Sequence, residues 1–257
     1  MKNSIWILVA AAVSANLSAA PLKSAVVTTV VNDVKLSEKS SAARTISGGE
    51  KMGGSSTLLT GRKSRAAMTF PDKTITRVGA NSIFRFSSGS RDMEIEKGSF
   101  LLQVPKNAGG AKIRTATITA GITGTTMMFE NNPGVSLKIV CLEGTATLTH
   151  QNGEVLKLTR GQMLVMPGNA QRFTRPVDVN VDKMVKTSAL ADSDTFGDLP
   201  ADATAAIDDT ISQQKQDMRD GNISPAGLVE RGGAPQDKPS DEQGGNRSLF
   251  GESYYSP

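Results

Sequence analysis

Three acids at alternate positions, Asp92, Glu94 and Glu96, are the side chains best spaced for chemistry in this sequence. On an extended strand they share one face, with Met93 and Ile95 on the other. Two such carboxylates flanking a sugar bond could serve as acid and as nucleophile or base, and three could hold a hard cation. The same alternation is the ordinary signature of a half-buried strand with a solvated side, which is the expectation here. Cys141 and His150 are the only cysteine and histidine. A nucleophile with a positioned base would have to be built from this pair, and a zinc site needs more ligands than they supply. Cys141 ends the alternating row Val135, Leu137, Ile139, Cys141, which places it among buried hydrophobes, and His150 is expected exposed at a hairpin rim across from Glu154. Gly121 to Thr126 is rich in glycine and threonine but lacks the Gly-Lys-Ser/Thr ending of a phosphate loop. The sequence therefore predicts no catalytic, cofactor-binding or metal-ligating residue. A glycan-active enzyme using Asp92, Glu94 and Glu96 is the weaker, enzymatic reading.

The elements that would position these residues are short strands. Val26, Val27, Val30, Val31 and Val34 suggest an opening strand, followed by a polar, Gly-rich stretch. Ala66, Met68 and Phe70 alternate before the turn Pro71-Asp72-Lys73, and Phe100, Leu102 and Val104 alternate before Pro105. Strands at such close spacing, with no helical period between them, predict an all-β, antiparallel sandwich of jelly-roll-like form. Thr145 to Thr159 reads as a hairpin. A two-residue Asn152-Gly153 loop would mix apolar and polar faces. A three-residue loop with Gly153 in the left-handed region instead pairs Leu148 with Leu156, Ala146 with Leu158 and Thr147 with Lys157. Val177, Val179 and Val181 alternate as a last strand, and Leu199 to Arg219 reads as one amphipathic helix closed by Gly221.

Only 38% of the 257 residues are hydrophobic and 4% aromatic, so part of the chain is expected to lie outside any core. Lys2, the apolar run Ile5 to Val13 and the small residues Ser14 to Ala20 read as an export signal cut between Ala15 and Ala20. The organisation expected is a signal over 1–20, an N-terminal strand and polar linker over 21–47, the β domain over 48–187, a linker and helix over 188–221, and a disordered acidic tail over 222–257. Residues 1–187 carry 24 Lys+Arg against 12 Asp+Glu, whereas residues 188–257 carry 5 against 13. A basic body suits an anionic glycan or lipid headgroup, or simply a solvated surface. The cluster Arg62, Lys63, Arg65 has no interleaved aromatic and Arg160, Arg172, Arg175 only Phe173, and with an export signal expected, nucleic acid is not.

Several runs, in order, resemble the FecR domain found in the extracytoplasmic part of bacterial iron-transport regulators. They are Leu59-Thr60-Gly61 with Ser64-Arg65-Ala66, Phe70-Pro71-Asp72-Lys73-Thr74, Val78-Gly79 with Asn81-Ser82-Ile83, Leu101 with Val104, Ala120 to Thr125, Leu142 to Ala146, and Leu158 to Gln162. The resemblance spans roughly Gly48 to Pro167 and transfers an architecture, since the family is known for protein contacts. Met127 stands where the family usually has an aromatic, and Asp72-Lys73 where it often has Asp-Gly. Sigma-regulating members carry a cytoplasmic segment and a membrane span before this domain, whereas a signal-like peptide is expected here. The resemblance implies an exported, periplasmic or extracellular, non-enzymatic module for binding or signalling. An envelope or membrane protein, or an anionic envelope polymer, is the expected partner, and a structural surface spacer is the alternative.

Overall fold

The computed structural model describes residues 21–38, 41–53, 55–224 and 228. The expected export signal and nearly all of the expected tail fall outside the described residues. The strands are β1 (Ala25–Val31), β2 (Val34–Glu38), β3 (Arg44–Thr45), β4 (Lys51–Met52), β5 (Ser56–Thr60), β6 (Arg65–Thr69), β7 (Ile75–Val78), β8 (Ile83–Phe86) and β9 (Asp92–Val104). They continue as β10 (Ala111–Arg114), β11 (Ile118–Ile122), β12 (Thr125–Asn132), β13 (Ser136–Glu143), β14 (Thr145–His150), β15 (Val155–Thr159), β16 (Gln162–Pro167) and β17 (Val177–Asp178). Three helices follow, α1 (Val181–Thr187), α2 (Ser193–Phe196) and α3 (Ala201–Arg219). The all-β class with a C-terminal helix is as the sequence indicates.

The strands form two sheets that share β9. One runs in the order β4-β1-β6-β7-β9-β12-β13-β16-β17. The other runs β3-β2-β5-β8-β9-β10-β11-β14-β15, and its β9–β10 pairing is parallel. In both sheets the strands before β9 in the chain lie on one side of it and those after it on the other. β9 changes sheets at Gly98: Met93 to Lys97 pair with β8, and Gly98 to Val104 pair with β12. Gly98 has φ +106°, and a Cβ there would stand 2.0 Å from Ser82 Oγ. Only glycine fits this crossing.

The inner faces of the two sheets meet in one core. Phe70 and Phe86 pack edge to face at 5.0 Å, and Phe84 lies 5.9 Å from Phe100. Met127, Phe129 and Ile139 from one sheet and Ile95, Ile113 and Leu148 from the other complete it. Burying each such side chain contributes about 1.5–3 kcal/mol. Cys141 lies in this core, as its alternation indicates.

A second apolar layer occupies the outer face of the first sheet, where Leu101, Met128, Val140, Leu142 and Met163 meet Val181, Met184, Leu190 and Ile207. We call this the covered sheet and the other the open sheet. Gln214 of α3 fastens the cover: its Oε1 accepts from Val181 N at 3.2 Å and its Nε2 donates to Val179 O at 2.7 Å. The last strand is shorter than the Val177, Val179, Val181 alternation indicates. Asn180 caps α1, its Oδ1 accepting from Lys183 N at 3.0 Å, and Val181 and Met184 then share a buried helical face. The cap and the i, i+3 apolar pair outweigh strand propensity.

Candidate functional site

The hairpin register places the polar side chains on the outside of the open sheet. Leu148 opposes Leu156, Ala146 opposes Leu158 and Thr147 opposes Lys157, with Gly153 at φ +87°. His150 N donates to Glu154 O at 2.8 Å, so the loop has three residues. The His150 side chain itself is not exposed. It is buried against Phe173, ring centres 5.6 Å apart, and Nδ1 accepts from Asn152 N at 3.3 Å. Glu154 does not reach it but accepts from Phe173 N at 3.1 Å. The loop carrying Phe173 folds back over the hairpin, a contact that local alternation does not encode.

One register row crosses the open face through eight strands: Ser37, Thr57, Arg85, Glu94, Arg114, Thr119, Thr149 and Val155. Asp92, Glu94 and Glu96 do share one face, as their spacing requires, but each is held by an arginine. Arg85 Nη1 lies 2.6 Å from Glu96 Oε2 and 3.6 Å from Glu94 Oε1, and Arg114 Nη2 lies 2.9 Å from Asp92 Oδ2. Their side chains are 32–49% exposed. A glycosidase acid needs a desolvated carboxyl to hold its proton, and these are solvated and ion-paired. Among the described residues no group of three or more His, Cys, Asp or Glu is placed to hold a metal. Cys141 is fully buried, and burial pushes its thiol up to about 12.

A concavity of about 480 Å³ opens at the β2–β5–β8 end of this face. Leu59 and Ile83 contribute apolar surface, with Arg85, Glu94 and Thr57 among the polar lining groups. Such a mixed recess, with aliphatic side chains, a guanidinium and a carboxylate in its lining, can seat a protruding side chain of another protein. Two of the basic residues singled out in the sequence turn instead toward the chain's own helices. Arg65 donates to Thr195 Oγ1 at 3.3 Å, and Arg160 pairs with Asp209 of α3.

The covered sheet holds buried charge that no sequence pattern announces. Arg77 is 1% exposed, donates to Leu190 O at 3.1 Å and Gly197 O at 2.7 Å, and stacks over Phe196 at 5.2 Å. Glu130 and Lys138 oppose each other on β12 and β13. They are 8% and 0% exposed. These groups are structural, since α1 to α3 lie over their sheet.

Residues 56–147, from β5 into β14, match the family model described as FecR protein. A search of curated proteins returned no match. Two crystal structures of a "putative anti-sigma factor" from Parabacteroides distasonis are similar, at 14% and 13% identity with TM-scores of 0.45 and 0.44. Each alignment covers 49% of this chain and 61% of the other, so the chain spans less than two thirds of their length.

Proposed function

We propose that this chain, whose residues 56–147 carry a FecR domain, is an exported, non-enzymatic signalling module of the bacterial envelope that works by protein contact. The family match supports a regulatory role. No helix among the described residues is long and apolar enough to cross a membrane. The observation that carries the reading is the asymmetry of the sandwich. One outer face is sealed by the chain's own helices, and the other presents the Leu59, Ile83, Arg85, Glu94 recess to solvent. Arg85 is the expected anchor, because arginine is among the residues enriched in interface hot spots.

The test is a photo-crosslinking residue at Thr57, at the rim of the recess, compared with one at Lys215 on α3. An adduct with one envelope protein from Thr57 alone, abolished by Arg85→Glu while the thermal midpoint is kept, supports the reading. Equal adducts from both positions, or an adduct indifferent to Arg85→Glu, overturns it.

A further inference from the structure

The far half of the open face differs in chemistry from the recess. On β10, β11, β14 and β15 the outward positions hold threonines and cations, with Val155 the one large apolar side chain and no carboxylate. Register aligns Lys112, Gly121, Thr147 and Lys157 in one row, which continues beyond Lys112 to Asp92 of β9, a carboxylate already paired with Arg114, and Thr119 and Thr149 stand side by side in the next. Strand spacing puts the Cα atoms of Lys112 and Lys157 roughly 14 Å apart. Both lysines are exposed, and neither has an ion-pair partner among the described residues.

Gly121 is the informative residue. Its φ is not positive, and a Cβ would meet nothing nearer than Thr147 O at 3.8 Å. Neither backbone conformation nor crowding requires glycine there. A glycine inside a strand weakens it and leaves bare backbone where something approaches closely. The gap lies between the two lysines and beside hydroxyls that both donate and accept hydrogen bonds.

We propose that this shelf binds an anionic polysaccharide, its acidic groups held by Lys112 and Lys157 and its backbone laid over Gly121 against Thr119, Thr147 and Thr149. A protein partner is less suited to it, because protein interfaces are depleted in lysine and depend on aromatic or arginine anchors, which this row lacks. The assignment stands apart from the protein contact proposed at the recess, which uses other strands.

The test measures binding of the full chain to polygalacturonate, with neutral dextran, polyglutamate and phosphatidylglycerol vesicles alongside. Salt-sensitive binding to polygalacturonate over the other three is expected. The Lys112→Glu/Lys157→Glu variant should weaken it about tenfold or more through like-charge repulsion. Gly121→Val should also weaken it about tenfold by filling the gap, while thermal stability holds or rises because valine suits a strand. Arg85→Glu should leave it unchanged, so loss of the protein adduct and loss of polymer binding separate the two readings. Preference for polyglutamate or vesicles overturns the proposal, as does polygalacturonate binding that survives Gly121→Val and the double charge reversal.

Discussion

Glu130 and Lys138 face each other across β12 and β13 on the outer side of the covered sheet, both buried, and each is the other's electrostatic partner. Glu130 Oε1 accepts from Asn132 Nδ2 at 3.1 Å, whereas its Oε2 has no hydrogen-bond partner among the described residues. Breaking such a pair costs more than replacing it. Lys138→Met alone should destabilise by about 3–5 kcal/mol at pH 8, while Glu130→Leu/Lys138→Met should be neutral or stabilising. Urea denaturation of the two single variants and the double variant measures this coupling.

The same pair sets a pH profile. Burial raises the Glu130 carboxyl from 4.5 to about 7 and lowers the Lys138 ammonium from 10.5 to about 8, and in each case the partner's charge partly offsets it. The folded chain holds the Glu130 proton longer than the unfolded chain, so stability falls as pH rises from 4.5 to about 7. It releases the Lys138 proton earlier, so stability recovers from about 8 to 10.5. The profile minus that of the double variant should show a minimum between these windows. A difference that rises steadily through neutral pH would refute it.

Arg77→Met should free the Leu190 and Gly197 carbonyls and cost about 3 kcal/mol or more. Limited proteolysis should then cut between Ala189 and Leu199, and the unaltered chain should resist there. Arg77→Lys should not restore resistance, because an ammonium cannot match the planar guanidinium that stacks on Phe196.

Gly98→Ala should be far more damaging than Gly121→Val. Left-handed strain and overlap with Ser82 together amount to about 2–6 kcal/mol. Adding Ser82→Gly removes the Oγ and Cβ in the way but leaves the Ser82 Cα 2.6 Å from the new methyl, so it should recover only part of the loss. Differential scanning calorimetry of the single and double variants measures that part.

Cys141 should stay unmodified by maleimide in the native chain and react fully in urea, because its thiol is buried and held well above the usual range. Native labelling would place it at the surface.

What could be read without coordinates follows the range of each interaction. The hairpin register was legible because Leu148, Leu156, Ala146 and Leu158 encode it within 15 residues of chain, and Asp92, Glu94 and Glu96 reveal their common face by period alone. The burial of His150 was not legible, since it depends on Phe173, which reaches the hairpin through a loop without periodicity. Val181 looked like strand because its alternation with Val177 and Val179 is genuine; only the Asn180 cap and the packing of Met184 reveal a helix. Arg77, Glu130 and Lys138 stand in no sequence pattern that marks them for burial, because the helices that close over their sheet lie over 100 residues later than Arg77. The row Lys112, Gly121, Thr147, Lys157 draws one residue from each of four strands, so it exists only once those strands pair.

β9 has a consequence for how the chain comes into being. During synthesis the segment through β8 emerges first, and the edges of β7 and β8 that β9 will cover are then bare. The later strands β10 and β12 then emerge with β9 already in place to receive them. Unpaired edges are templates for association with other chains. A ribosome that stalls before Val104 leaves a nascent half-sandwich with two adhesive borders, and chaperone demand should peak there.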